Sequence, residues 1–337
     1  MYNKKVSMKN IAQELGVSVA LVSYVLNGKF INRINIHTAD RIRTLAIKYN
    51  YTPNQIAQSL KTNKTYTLGL IVADISNIFS SELAQYIEME AHNQGYNVIF
   101  ASAYEDAMRF KSIVEVFVAK QLDGLILAVP AEADVYLDIV ERSGIPYVIM
   151  DREFTSIDPH KFINIDNYAA SAEVVTHLFE SGFKRPAAIT LQSSLKHLND
   201  RNLGFVESVN KRYNSEFFLY EIPEKRLIDS IEQIIMHAIE QDKVDVLYFL
   251  TNRIAMAGLA VLSKHNIEVP DQVGVVCFDQ ADAYTVFKTP LTYVKQPIAE
   301  MSKEAVTQIL NPNYVKNKNK FSTQLVIQKS TLLNYSY

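Results

Sequence analysis

Apolar positions recur along this chain at two different periods, and the change falls near residue 66. Before it, Ile11, Ala12 and Leu15 stand at helical spacing. Gly16 follows, where a helix ends readily if the residue tolerates positive φ. Ser18 offers a hydroxyl to cap a second helix. In that helix Val22, Val25 and Leu26 share one face, and Asn27-Gly28 stops it. A polar loop, 29–35, leads to a third helix predicted over 36–49, with Ile36, Ile42, Leu45, Ala46 and Tyr49 as its apolar stripe. Tyr51-Thr52-Pro53-Asn54 breaks the chain. In the polar stretch 55–65, Ile56, Ala57 and Leu60 are spaced for a turn or two of helix, too short to be stable alone. A segment ordered only on contact and a plain solvated linker both fit that stretch.

From Tyr66 onward, β-branched apolar runs alternate with amphipathic stretches. Strands are predicted at 67–73, 97–102, 124–129 and 146–150, with helices at 82–94, 110–120 and 135–143. A second series has strands at 186–191, 246–250 and 273–278, with helices at 168–181, 202–213, 227–241 and 254–265. A last helix, 298–310, and a strand, 324–328, complete it. Two runs of βαβ units imply two parallel sheets covered on both faces. The chain is expected to cross between lobes near 291–296 and near 322. The fold class is thus a small α headpiece joined to a bilobed α/β body of two Rossmann-like subdomains. The domains are 1–53, a linker at 54–65, and a body at 66–337. Its N-lobe takes 66–164 and 292–322; its C-lobe takes 165–291 and 323–337.

The first two helices have the layout of a helix-turn-helix, whose second helix enters a DNA major groove. Its outward residues, Val19, Ala20, Ser23, Tyr24 and Asn27, are short or flat. A purely structural hairpin is the plainer alternative. Charge separates the two. The whole 337-residue chain has a net charge of −2, but residues 1–65 hold ten Lys or Arg against two acids, net +8, and the remainder is −10. A basic head on an acidic body suggests that the head alone meets a polyanion. The single cysteine, Cys277, lies in an apolar run and permits no internal disulfide. The N-terminal stretch lacks the apolar core of a signal peptide, and no run is long enough to span a bilayer. A cytoplasmic location, with no membrane contact, is expected.

No G-x-G, Walker loop, G-x-S-x-G or H-E-x-x-H occurs, and the seven histidines lack ligand spacing. No cofactor, metal or catalytic residue is expected. Polar residues do gather at strand ends: Asp74 and Asn77, then Phe79; Asp151-Arg152; Asp166-Asn167; Arg201; Asn252-Arg253; Asp279. Carboxylates, amides, guanidinium groups and one ring around a cleft suit a polyhydroxylated ligand. Each also has a plainer role as a helix cap or an interlobe ion pair.

These segments resemble the lactose/galactose-repressor (LacI/GalR) family of bacterial transcription regulators over nearly the whole chain. The resemblance rests on IAQELGVSVALVSYVLNG and PNQIAQSLKT in the head. In the body it rests on LGLIVADISNIF, DGLIL, RNLGF, VVCFDQ, TPLTYVKQP and IQKST. It implies a homodimer on a near-palindromic double-stranded operator and a periplasmic-binding-protein-like body that senses a small molecule, a sugar or sugar derivative. By the match, Ser18, Val19, Ala20, Ser23, Tyr24, Asn27, Lys29, Arg33, Asn54, Ala57 and Leu60 fall at DNA-binding positions, with Leu60 as a wedge into the central base step. Asp74, Phe79, Asp151, Arg152, Arg201, Asn252 and Asp279 fall at effector positions. Tyr24 stands where the family carries an arginine, so a bidentate contact to guanine is not available there. Loop 29–35 is about two residues longer than usual. Arg253 and Gln280 replace acids. No heptad repeat follows Thr331, so no tetramer is expected. Two other readings are a regulator controlled by a protein partner rather than a small molecule and, as a distant third, a sugar-transforming enzyme with an accessory head.

Overall fold

A computed structural model describes residues 6–52, 64–155, 157–213, 217–311, 313–314 and 320–333. The chain divides into two compact units, Met1–Thr65 and Tyr66–Tyr337. The linker positions Asn54, Ala57 and Leu60 lie outside the described residues.

The first unit holds α1 (Met8–Leu15), α2 (Val19–Leu26) and α3 (Ile36–Lys48). Ser7 caps α1 through a reciprocal pair with Asn10. Gly16, at φ 64°, makes the left-handed turn into α2, whose first turn is capped by the Ser18 hydroxyl. Ile11, Ala12, Val22, Val25, Ala39, Ile42, Leu45 and Ala46 form the core. Ile36 is corrected from the expected stripe: it is 68% exposed. It is the first helical residue, and Ala39, three positions on, faces inward instead. The 29–35 loop is not wholly polar or irregular; it carries an exposed Phe30 and a 3₁₀ turn, Ile31–Arg33.

In the second unit the first lobe orders β11-β5-β4-β3-β1-β2: β1 (Thr67–Val72), β2 (Asn97–Ser102), β3 (Gly124–Leu127), β4 (Tyr147–Met150), β5 (Phe162–Ile165) and β11 (Lys320–Phe321). Helices α4 (Ile78–Asn93), α5 (Ala107–Ala119), α6 (Leu137–Ser143) and α11 (Ile298–Leu310) belong with it. The second lobe orders β12-β10-β9-β8-β6-β7: β6 (Pro186–Gln192), β7 (Phe218–Pro223), β8 (Val246–Phe249), β9 (Gly274–Phe278), β10 (Thr292–Lys295) and β12 (Gln324–Val326). Its helices are α7 (Asn167–Glu180), α8 (Lys196–Arg212), α9 (Leu227–Glu240) and α10 (Asn252–Lys264). All described pairings are parallel except β10 with β12.

Strands β5, β7, β10 and β11 are additions to the sequence reading. β7 is a half-exposed sheet edge and lacks an unbroken apolar run. Residues 292–295 were expected in the N-lobe; they pair with β9 instead, because Thr292 and Val294 are buried in the second sheet. The chain therefore crosses after Ile165, at Gln296-Pro297 and at Ser322-Thr323. One apolar core runs from Leu68 and Ile126 of the first lobe to Tyr248 and Phe278 of the second, and each sheet packs its other face on a separate core.

Candidate functional site

The cleft between the lobes is built from residues immediately beyond strand ends. Asp151 follows β4 and Asp279 follows β9, and both adopt positive φ, 70° and 68°. Asp tolerates this region better than most residues, and the kink turns each chain out of its sheet at the cleft. Asp279 is buried. One carboxylate oxygen accepts from Gln296 Nε2 at 2.6 Å, and the Asn252 backbone N–H supplies a further hydrogen bond. Burial raises its pKa, opposed by the nearby Arg201 charge and by these donors.

Arg201 is also buried. Helix α8 begins at Lys196, not near Arg201 as the sequence suggested, so Arg201 sits inside the second turn. Its Nε donates to Asn167 Oδ1 and its Nη1 to the Leu250 carbonyl, both at 2.8 Å. The guanidinium carbon lies 3.5 Å from the Phe278 ring centroid, a cation–π contact. Gly204, one turn on, allows this placement: a Cβ there would stand 2.3 Å from the Tyr168 carbonyl oxygen, so only glycine lets α8 approach α7 this closely. His197, one turn before Arg201, is buried too, and its Nδ1 has no partner among the described residues. Burial, then the neighbouring Arg201 and Arg152 charges, push its pKa down to about 3 against the pull of Asp151, so the imidazole is neutral near pH 7.

The lobes touch directly. Asn252 Nδ2 donates across the cleft to Asn77 Oδ1 at 2.9 Å, while the same Asn77 oxygen caps α4 through the Phe79 N–H. Phe79 is buried beside it. A cavity of about 500 Å³ opens next to this contact, lined by Phe79, Asp279, Gln296, Glu82, Tyr86 and Lys295 together with residues 322–324.

The structure thus brings Phe79, Asp151, Arg201, Asn252 and Asp279 together. Two other expected residues have their groups engaged. Asp74 accepts from both the backbone N–H and the hydroxyl of Ser76. Arg152 is paired through both Nη atoms with Glu105, and Nη1 also donates to the Val129 carbonyl. Burial opposes the Arg152 charge, but the Glu105 pair outweighs it and holds the pKa above the usual arginine value. Sequence reasoning passed over Glu105 and His197 and gave Gln296 no role at the site. His197 and Arg201 stand at i, i+4, a same-face spacing that was readable once the helix start was known. Glu105 carried no local signal.

In the first unit, Val19, Ala20 and Tyr24 are exposed along α2. Ser18 spends its hydroxyl on the Leu21 N–H. Asn27 Nδ2 donates to the Ser23 carbonyl and hydroxyl, so these two side chains hold one another. Lys29 and Arg33 are exposed. Among the described residues no helix is long and apolar enough to cross a membrane, and no acid, His or Cys group is arranged to hold a metal.

The profile described as "Periplasmic binding proteins and sugar binding domain of LacI family" matches residues 65–332, and that of "Bacterial regulatory proteins, lacI family" matches 7–54. The transcriptional regulator RegA of Clostridium saccharobutylicum is 29% identical over 97% of this chain and 99% of its own. The Lac repressor dimer bound to operator and the anti-inducer ONPF superposes with a TM-score of 0.82 at 19% identity, covering 98% of this chain and 100% of that one. The regulator CelR in complex with cellobiose gives 0.68 at 19%, covering 96% and 99%.

Proposed function

Because the chain belongs to the LacI family of bacterial regulatory proteins, we propose that it is a DNA-binding transcriptional repressor. It acts as a homodimer on a near-palindromic operator, and a sugar or sugar derivative in the body's cleft sets how firmly it binds. The observation that carries this reading is α2: a short helix on a head of net charge +8 whose outward side chains Val19, Ala20 and Tyr24 are exposed. Lys29 and Arg33 supply phosphate contacts and register, and Leu60 is the proposed wedge. In the cleft, the Arg201 guanidinium and the Asp279 carboxylate give a donor and an acceptor for ligand hydroxyls, with Phe79 as an apolar wall. The relative solved with cellobiose supports a carbohydrate.

Full-length protein should select a symmetric motif from random duplexes, with affinity falling linearly in log–log against salt. A pool without symmetry overturns the reading.

A second reading is favoured by one observation: Arg152 is consumed by Glu105, and Arg253 pairs with Glu224. A body whose cleft side chains satisfy one another suits control by a protein partner. Calorimetry against sugars and sugar phosphates separates the two readings. Saturable binding that both Arg201→Ala and Asp279→Ala abolish favours the ligand.

A further inference from the structure

Phe30 is a large apolar ring placed in solvent, 57% exposed, on a left-handed backbone at φ 54°. Bulky residues rarely adopt that conformation. Two backbone bonds hold it there: Lys29 N–H to the Tyr24 carbonyl at 2.8 Å, and Arg33 N–H to the Phe30 carbonyl at 2.9 Å. The ring meets Tyr24 edge-on, with centroids 5.1 Å apart and planes at 80°. This is an arrangement aromatic pairs favour. Tyr24, itself 39% exposed on α2, is therefore braced from outside its own helix.

The pair forms an apolar projection flanked by Lys29 and Arg33, on a head carrying net +8. That charge fits a polyanion rather than an apolar protein surface. Within a duplex, the apolar group displayed in the major groove is the C5-methyl of thymine. We propose that Tyr24 and Phe30 together read a thymine methyl in each operator half-site, with Phe30 acting both as a contact and as the positioning residue for the Tyr24 ring. The proposal rests on the DNA-binding reading above.

The test begins with the motif selected by the full-length protein. Thymine at each symmetric position is then replaced by deoxyuridine, which removes only the methyl. At one position the wild type should lose about fourfold in affinity per half-site, the worth of one buried methyl group. Phe30→Ala and Phe30→Gly, the second of which accepts positive φ without strain, should lose less than about twofold on the same replacement. Both variants should keep the wild-type salt slope, which the phosphate contacts set, and the wild-type melting temperature. A symmetric motif with no methyl-sensitive thymine overturns the proposal. So does a penalty that both variants retain in full. A selection without any symmetric motif overturns the DNA-binding reading itself, a distinguishable result.

Discussion

The outward face of α2 and the cleft of the body use their side chains in opposite ways. On α2, Val19, Ala20 and Tyr24 face solvent and make no polar commitment in the described structure. In the cleft, the charged groups and amides are largely committed to one another: Arg201 with Asn167 and Leu250, Asp279 with Gln296, Asn252 with Asn77, Arg152 with Glu105, while Arg152 Nε, His197 Nδ1 and Gln296 Oε1 have no partner among the described residues. A surface that meets a large rigid partner gains by staying unspent, since water leaves it easily. A cleft that exchanges a small polar ligand must satisfy its buried charges in both states, because an orphaned buried charge costs several kcal/mol. The first kind of site therefore tolerates substitution in stability and changes in specificity; the second loses both together.

The largest expected effect tests the cleft. Arg201→Ala removes two buried hydrogen bonds, the Phe278 stacking and the counter-charge of Asp279, and should cost about 3–5 kcal/mol in urea unfolding, with ligand binding lost. Next is pH. His197 has a folded pKa of about 3 against an ordinary 6.5, so the unfolded chain takes up its proton first as pH falls. The His197 contribution is complete above about pH 6.5 and drains away below it, at about 1.4 kcal/mol per pH unit. A His197→Gln variant should show a correspondingly shallower loss of stability between pH 6.5 and the acid transition. An unchanged slope would mean that the imidazole is solvated.

Tyr24→Arg tests the other face. It should leave the free energy of urea unfolding within about 0.5 kcal/mol of wild type, yet redirect the selected motif toward guanine, by about 1–3 kcal/mol at that base pair. The smallest effect is expected from Asn77→Ser, which keeps a capping oxygen for α4 but is too short to hold the bond across the lobes. About 1 kcal/mol should be lost, read as a higher rate of amide exchange in the first turn of α10. A variant that exchanged as slowly as wild type would show that the lobes stay together without this contact.

Legibility in the sequence followed the same division. The three head helices were read from period and caps, since Ser18, Gly16 and Asn27-Gly28 act within a few residues of one another. The parallel strands that are buried on both faces, β1, β3, β4, β6, β8 and β9, announce themselves as apolar runs. β7 did not, because a sheet edge needs no such run, and in β5 Asn164 interrupts the apolar run. In the cleft, Asp151 and Asp279 were visible as the first polar residue after an apolar strand. What could not be read was which of them would be spent. Glu105 lies 47 positions from Arg152, and Asn77 lies 175 from Asn252. Pairings at that separation are set by packing, not by local pattern. The same holds for Phe30 against Tyr24: the loop residue is six positions away, but only the left-handed turn brings the rings together.

The three crossings after Ile165, at Gln296-Pro297 and at Ser322-Thr323 have a mechanical consequence. Only two residues separate β11 in one sheet from β12 in the other. So short a strap leaves no slack for the lobes to slide or stretch apart. Three such short crossings would favour swinging of the lobes over sliding. If the proposed effector binds in the cleft, ligands of different size would then halt the body at different angles of a single arc.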